Sequence, residues 1–355
     1  MTASREVDVA LQLSWVSWCI GIVAAVALAL STADSHAADF KGQTITIAIG
    51  SGTGGGYDAY GRLAARHLPK HLPGNPAVVP KNMPGAGGVV SANWLYNVAP
   101  KDGTGVGIFQ AGAPYEPLFG NSQAKYDPTK FTWLISLNRL ANIGIFWHES
   151  PVRAIEDLFK GEVLVGSSGG GNASTQVYPI LLNNLIGTKF KVIAGYTGTG
   201  ETNLAMERGE VHGIIGTEWS SLKASKPDWI RDNKIRVVLQ FSLSSHPDLK
   251  HVPSIVDQVK DPDSRRVVEL LLARQEYGRA FAAPPGLPAD IAAALRKGFA
   301  DIALDPALLA DAGKMGMEIE VGTHEQVLAL LDKTYNAPKP LVDRAIAEFK
   351  RAGGE

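Results

Sequence analysis

Apolar positions along this chain come in short continuous runs, separated by glycine-rich loops and stretches of helical spacing. Thr44-Ile45-Thr46-Ile47-Ala48-Ile49 is a β-branched run of the length and character of a buried strand. A glycine-rich turn follows it, then helical spacing from Tyr57 to His67. Ala77-Val78-Val79 predicts a second strand, and Pro84-Gly85-Ala86-Gly87-Gly88 opens a helix that runs through Tyr96. Val106-Gly107-Ile108-Phe109 predicts a third strand. The same alternation resumes near Ile143. Strands are expected at 144–147, 162–166, 191–194, 211–215 and 235–241, and helices at 154–159, 174–185, 201–208 and 265–274. Tyr277 to Ala282 predicts a further strand, and the remainder is helical apart from a short strand near Glu318-Ile319-Glu320. Strands alternating with helices predict an α/β class with mainly parallel sheets.

The first forty residues follow a different rule. An apolar stretch from Trp15 to Leu30 is too short for a comfortable membrane span. Ser35-His36-Ala37 follows it and fits the small-x-small pattern of a signal-peptidase site. Residues 1–37 are therefore expected to be a signal peptide, although Glu6 and Asp8 weaken the positive bias of its start. Export places the mature protein outside the cytoplasm. Cys19 is the single cysteine and lies within the apolar stretch, so the mature chain is expected to have no disulfide and no cysteine-held metal.

Composition then excludes some classes of function. The formal net charge is −1, with acids and bases interspersed, so there is no basic stripe for nucleic acid. The histidines are scattered, and no metal-ligand cluster or cofactor motif is evident. The 38 glycines gather in particular loops, which directs attention to those loops.

The first such loop is Gly50-Ser51-Gly52-Thr53-Gly54-Gly55-Gly56-Tyr57-Asp58, between a strand and a helix start. Glycines let a ligand approach the main chain, and a helix start offers free N–H groups and a positive dipole end that suit an anion. Ser51, Thr53 and Asp58 add polar handles. The spacing Gly50-x-Gly52-x-x-Gly55 formally matches a dinucleotide fingerprint, but no acidic residue ends the next strand, and no Gly-Lys-Ser/Thr of a P-loop is present. In the second half, Ser167, Ser168, Asn172, Ser174 and Thr175 surround Gly169-Gly170-Gly171 at another helix start, and Tyr196 would wall the adjoining loop. Glu218 ends the next strand. Parallel sheets bring such loops together at the carboxyl ends of their strands. A rival reading takes Gly166-Ser167-Ser168-Gly169-Gly170 as a Gly-x-Ser-x-Gly nucleophile elbow. Ser168 would then be the nucleophile of an exported serine hydrolase, and His246, His251 or His324 its base. No oxyanion-hole loop is recognisable upstream.

Five stretches, in order, resemble the substrate-binding proteins of tripartite tricarboxylate transporters, the Bug family. They are Gly54-Gly55-Gly56-Tyr57-Asp58 with Arg62; Asn82-Met83-Pro84-Gly85-Ala86-Gly87-Gly88; Ala99-Pro100-Lys101-Asp102-Gly103; Gly166 to Asn172 with Tyr196-x-Gly198-x-Gly200; and Ala282-Ala283-Pro284 with Pro288. The resemblance implies a non-enzymatic periplasmic receptor with the two-lobed, Venus-flytrap architecture of periplasmic binding proteins. It would be a monomer without cofactor that delivers an organic carboxylate to membrane components of the transporter. A sensor feeding a membrane kinase is the other partner class. The chain order would be discontinuous, with lobe 1 as 38–142 plus 277–355 and lobe 2 as 143–276. Carried over by position, the resemblance nominates Thr53, Gly55, Gly56 and Asp58, then Ser168, Gly170 and Asn172, then Tyr196 and Glu218, with the loop Gln110-Ala111-Gly112-Ala113 facing the cleft; Ser51, Gly54, Ser167 and Ser174 of the same loops complete the candidate set. The family's frequent Pro-Phe-Pro-Pro before the first glycines is absent here, where Ile49-Gly50-Ser51-Gly52-Thr53 stands. Arg62 and Arg66 are expected to form ion pairs within the lobe.

Overall fold

The computed structural model describes residues 38–168, 174–196, 199–243 and 245–351. The expected signal peptide lies outside these residues, as do Gly170 and Asn172. Among the described residues, eleven strands form two sheets. The first sheet contains β1 (Thr44–Ile49), β2 (Ala77–Asn82), β3 (Gly105–Ile108), β4 (Thr132–Ser136), β10 (Ala280–Ala283) and β11 (Gly322–Thr323), in the order β11-β4-β10-β3-β1-β2. The second contains β5 (Asn142–Trp147), β6 (Val163–Ser168), β7 (Phe190–Tyr196), β8 (Gly213–Glu218) and β9 (Ile235–Phe241), in the order β7-β6-β8-β5-β9.

The parallel cores are as expected. β1 pairs in parallel with both β2 and β3, and β6 pairs in parallel with β7 and β8. Besides the two-residue edge strand β11, which is antiparallel to β4, one interior strand in each sheet opposes the parallel set: β10 is antiparallel to β3 and β4, and β5 is antiparallel to β8 and β9. Both reversals sit where the chain passes between sheets. There Leu137 N–H donates to the Arg279 carbonyl at 3.1 Å, Arg279 N–H to the Asn138 carbonyl at 3.1 Å, and Leu140 N–H to the Gln275 carbonyl at 2.9 Å. The two crossing segments thus lie side by side as a hydrogen-bonded pair.

Several expectations need correction. Strand β4 was not expected; it is an apolar run, Thr132-Trp133-Leu134-Ile135-Ser136, with no glycine loop to announce it. The short strand expected at 318–320 is displaced to Gly322–Thr323, because Glu320 N–H donates instead to the Leu137 carbonyl of the crossing segment. Two short helices, Trp219–Ser225 and Pro227–Arg231, follow β8 and were also not expected. The helices Ala289–Leu304 and His324–Tyr335 pack on β4 of the first sheet. The last helix, Lys339–Arg351, does not stay there. It packs on Pro262–Leu272 and Ser174–Ile186 beside the second sheet, with Arg344 donating to the Ser264 hydroxyl at 2.6 Å.

Under the first sheet an aromatic cluster is fully enclosed. The Trp133 ring lies 5.8 Å from Phe109 and 5.9 Å from Phe131, edge-on to each, and its indole N–H donates to the Pro128 carbonyl at 2.9 Å. Edge-on aromatic packing adds to the burial of these large rings. Trp133→Ala is expected to cost about 3–5 kcal/mol by emptying this site, read from urea unfolding. A loss below about 1 kcal/mol would show that the cluster is not a unit of the core.

Candidate ligand-binding site

The loop after β1 is mostly glycine, and much of its shape comes from Asp58 at its end. One carboxylate oxygen of Asp58 accepts from the Gly54 N–H at 2.9 Å. The other accepts from Arg62 Nε at 2.8 Å and Asn82 Nδ2 at 2.8 Å. Asn82 also donates to the Ser51 carbonyl at 3.0 Å, and its side-chain oxygen accepts from Arg62 at 2.7 Å. This network pins both ends of the glycine run. The expected ion pair of Arg62 is therefore made within the loop's own helix, and Arg66 pairs with Asp311 at 3.0 Å. The helix Gly56–His67 that follows has Gly55 at its N-cap and no side-chain cap bond. Its first N–H groups are consequently available to an outside acceptor. Thr53, Gly54 and Gly55 are exposed, and Ser51 is half-buried.

The neighbouring loop joins this one through Tyr57, whose hydroxyl accepts from the Ala111 N–H at 2.9 Å. Gly112, beside it, approaches Arg274: a Cβ at Gly112 would lie 3.4 Å from Arg274 Nη1. Arg274 is buried, donates to the Tyr178 hydroxyl at 3.3 Å and lies 5.7 Å from that ring's centre.

In the second sheet, the nominated residues also lie at the carboxyl ends of strands. Ser167 is fully buried, and its hydroxyl pairs with that of Thr175 at 3.2 Å, tying the end of β6 to the start of the helix Ser174–Ile186. Ser168 ends β6, in register with Tyr196 at the end of β7. The Ser174 hydroxyl donates to the Gly216 carbonyl at 2.8 Å. Gly216 has φ +89°, and a Cβ there would lie 2.8 Å from the Ser174 backbone, so only glycine fits this approach of strand and helix. Tyr196 is half-buried, and burial, with Glu210 adding to it, raises its phenol above the ordinary value. Glu218 caps the helix Trp219–Ser225, accepting from Ser220 N–H at 3.1 Å and Ser221 N–H at 2.7 Å.

The first loop and the Glu218 cap meet through Arg279, a residue to which the sequence reading gave no role. Its guanidinium lies 4.2 Å from the centre of the Tyr57 ring and 5.1 Å from that of Tyr60. It approaches Glu218 at 3.7 Å, and a Cβ on Gly56 would lie 2.5 Å from Arg279 Nη2 and 3.3 Å from the Ser221 hydroxyl. One signal was available in the sequence: an arginine inside the apolar text Tyr277-Gly278-Arg279-Ala280-Phe281-Ala282, at an expected crossing point, is a charge that folding must bury.

A second set of contacts joins the two sheets' structures farther out. Lys223 bonds to Glu318 and, at 2.6 Å, to Asp248, and His246 Nε2 lies 3.2 Å from Glu318. His246, Asp248 and Glu318 could together hold a cation, but the Lys223 ammonium already bonds to both carboxylates. The His246 bond, opposed by burial and aided by Lys223, holds the Glu318 carboxyl below the ordinary carboxylate range.

A model of the tripartite tricarboxylate transporter family receptor, TctC, matches residues 61–346. The chain belongs to this receptor family. The match opens at Gly61, inside the first helix, so the divergent glycine loop before it lies outside the matched residues. A UPF0065 protein of Bordetella bronchiseptica is 23% identical over 315 residues, covering 87% of this chain and 88% of its own. A UPF0065 protein of Cupriavidus necator is 26% identical over 245 residues, 65% of this chain and 69% of its own. Among solved structures, a TctC solute-binding protein from Polaromonas superposes with a TM-score of 0.64 at 20% identity, covering 85% of this chain and 98% of its own. A Rhodopseudomonas palustris protein solved with adipate gives 0.64 at 20% identity, with 89% and 99% covered. MatC of the same species, with bound malate, gives 0.59 at 19%, with 87% and 98% covered. The fold is therefore the two-lobed α/β architecture of periplasmic binding proteins, with one sheet in each lobe, and the family is one of receptors, not enzymes. Two of the three histidines of the hydrolase reading have other partners: His246 accepts from Asp248 N–H at 3.1 Å through Nδ1 and meets Glu318 through Nε2, while His324 pairs with Glu325 at 3.1 Å.

The receptor's first loop depends on an ionised Asp58. Burial pushes this carboxyl up, but the bonds from Arg62, the Gly54 N–H and Asn82 outweigh burial and leave it below its ordinary 3.8. Folding lowers this pKa, so its contribution is complete above about pH 4 and is lost as pH falls through the lower folded value. Asp58→Asn is expected to cost about 1–3 kcal/mol at pH 7 and to open the 50–58 loop to proteolysis. A variant as stable and as protected as the parent at pH 7 would contradict this role.

Proposed function

We propose that this receptor works in the periplasm as a monomer. It captures a small organic carboxylate between its two lobes and delivers it to the membrane components of a tripartite tricarboxylate-type transporter. The observation that carries this reading is the uncapped, glycine-built helix start at Gly55–Gly56, held open by Asp58 and set 3.3 Å, measured from a Cβ position, from Ser221 of the other lobe. Backbone N–H groups at a helix start suit a carboxylate, and the site is approached from both lobes. Adipate and malate in the two R. palustris structures support the same ligand class for this chain. Export by the segment ending near Ala37, and lobe boundaries near Asn142 and Tyr277, belong to the same proposal.

In this reading a ligand that touches both lobes only when they are closed shifts the population toward the closed state. Closure removes water, and the donors act more strongly in the lower dielectric. The membrane partner reads that closed form.

The test is a thermal-shift screen of the chain from Ala38, stripped of carried-over ligand, against adipate, malate, citrate and benzoate. A ligand at about 100 times its dissociation constant adds roughly 2.7 kcal/mol of stability and raises the melting point. Gly55→Leu is the matching variant. Gly55 has an ordinary φ of −92°, and a Cβ there meets nothing within 4 Å, so the fold tolerates a side chain that fills the mouth of the site. The variant is expected to melt like the parent and to lose the ligand-induced shift. Flat curves for the parent with every acid, or an unchanged shift in Gly55→Leu, would overturn the reading.

A further inference from the structure

We infer that Arg279 is the counter-charge for the ligand's carboxylate, so that this receptor selects a full anionic carboxylate over a neutral isostere. The inference rests on the carboxylate-receptor reading and adds to it a charged contact where the sequence pointed only to neutral donors.

Arg279 is 3% exposed, yet its guanidinium donates no hydrogen bond to any described residue. Its Nε is buried without an acceptor. A guanidinium carries five N–H donors, and burying it with none of them taken by a described residue is costly. Stacking on Tyr57 and Tyr60 offsets part of that cost by cation–π attraction. It satisfies no donor.

Glu218 does not fill the gap. It forms an ion pair with Arg279 at 3.7 Å that partly balances the charge, but it accepts no hydrogen bond from the guanidinium, because its two oxygens are engaged by Ser220 N–H, Ser221 N–H and the Ser220 hydroxyl as the cap of the next helix. That engagement also argues against Glu218 as a partner for a ligand ammonium, which leaves an anion as the class that fits.

The guanidinium is aimed at the helix start. Arg279 Nη2 lies 2.5 Å from where a Cβ on Gly56 would be, at the first residue of the twelve-residue helix Gly56–His67. Two positive ends, the helix dipole and the arginine, therefore converge on one point with no acceptor between them. A carboxylate set beside this contact, facing the helix's free N–H groups and the guanidinium edge, neutralises both and can take charge-assisted bonds from the planar guanidinium. Gly56 is needed for this arrangement, because any side chain would enter the space of the arginine head group.

The backbone of Arg279 is fixed by its two hydrogen bonds to the crossing segment at Leu137 and Asn138. The charge that meets the ligand thus sits on the segment about which the lobes are joined.

The experiment uses the acid giving the largest shift among adipate, malate, citrate and benzoate, together with its amide, titrated calorimetrically into the parent, Arg279→Gln and Arg279→Lys. Arg279→Gln is expected to lose roughly 10- to 100-fold in affinity for the acid, the loss of a charge-assisted bond, and to lose most of the parent's preference for acid over amide. Arg279→Lys keeps the charge without the fork. It is expected to bind more weakly than the parent while keeping the preference for the acid, and it serves if the Gln variant does not fold by circular dichroism. A folded Gln variant with parental affinity and preference would overturn the counter-charge while leaving the receptor reading in place. So would a folded Lys variant with no preference for the acid. A parent that binds none of the acids would overturn both.

Discussion

A run of glycines has no preferred shape, so a binding loop made from one depends on whatever holds it in place. Here that is the Asp58 carboxylate, which ties Gly54, Arg62 and Asn82 to one point and, through Asn82, reaches back to the Ser51 carbonyl. The loop gains a defined path while its own N–H groups beyond Gly54 stay free for another acceptor. Asp58 was nominated as a ligand contact, and its bonds within this network give it the work of shaping the loop. Ser167, buried against Thr175, ties a strand end to a helix start on the other lobe.

The rest of the site follows from where the strands end. β1 and β3 deliver the first loop and the Ala111-Gly112 turn, which Tyr57 joins by accepting from the Ala111 N–H. β6, β7 and β8 deliver Ser168, Tyr196 and Glu218. The paired crossing segments keep the two sets in register, and Arg279 leaves one of those segments to stand between Gly56 and Glu218. Farther out, Lys223 and His246 of one lobe meet Glu318 of the other. Such partly exposed ion pairs contribute modestly and weaken in salt.

Much of this was legible from hydrophobic patterning. The Thr44–Ile49 run and the glycine loops that follow it marked strand ends and helix starts closely, because a continuous β-branched run between glycine turns has few other uses. Strand β4 escaped because Thr132–Ser136 adjoins other apolar residues and its partner, β10, arrives from almost 150 positions later in the chain. The short helix Trp219–Ser225 escaped because its cap is Glu218, a residue type rarely read as a helix start. The last helix went to the wrong neighbour because amphipathic spacing shows that a face is buried and not against what. Arg279 shows the same limit at the site: the sequence places a charge in apolar text, but only the fold shows that its one carboxylate neighbour among the described residues, Glu218, pairs with it at 3.7 Å without a hydrogen bond.

The most direct test is a crystal structure of the receptor grown with the carboxylate that stabilises it most. The account predicts one carboxylate group of that ligand within hydrogen-bond distance of the Gly56 and Tyr57 N–H groups, with Ser221 of the other lobe closed over it. Ligand density away from the 50–58 loop, or a ligand held by one lobe alone, would contradict it.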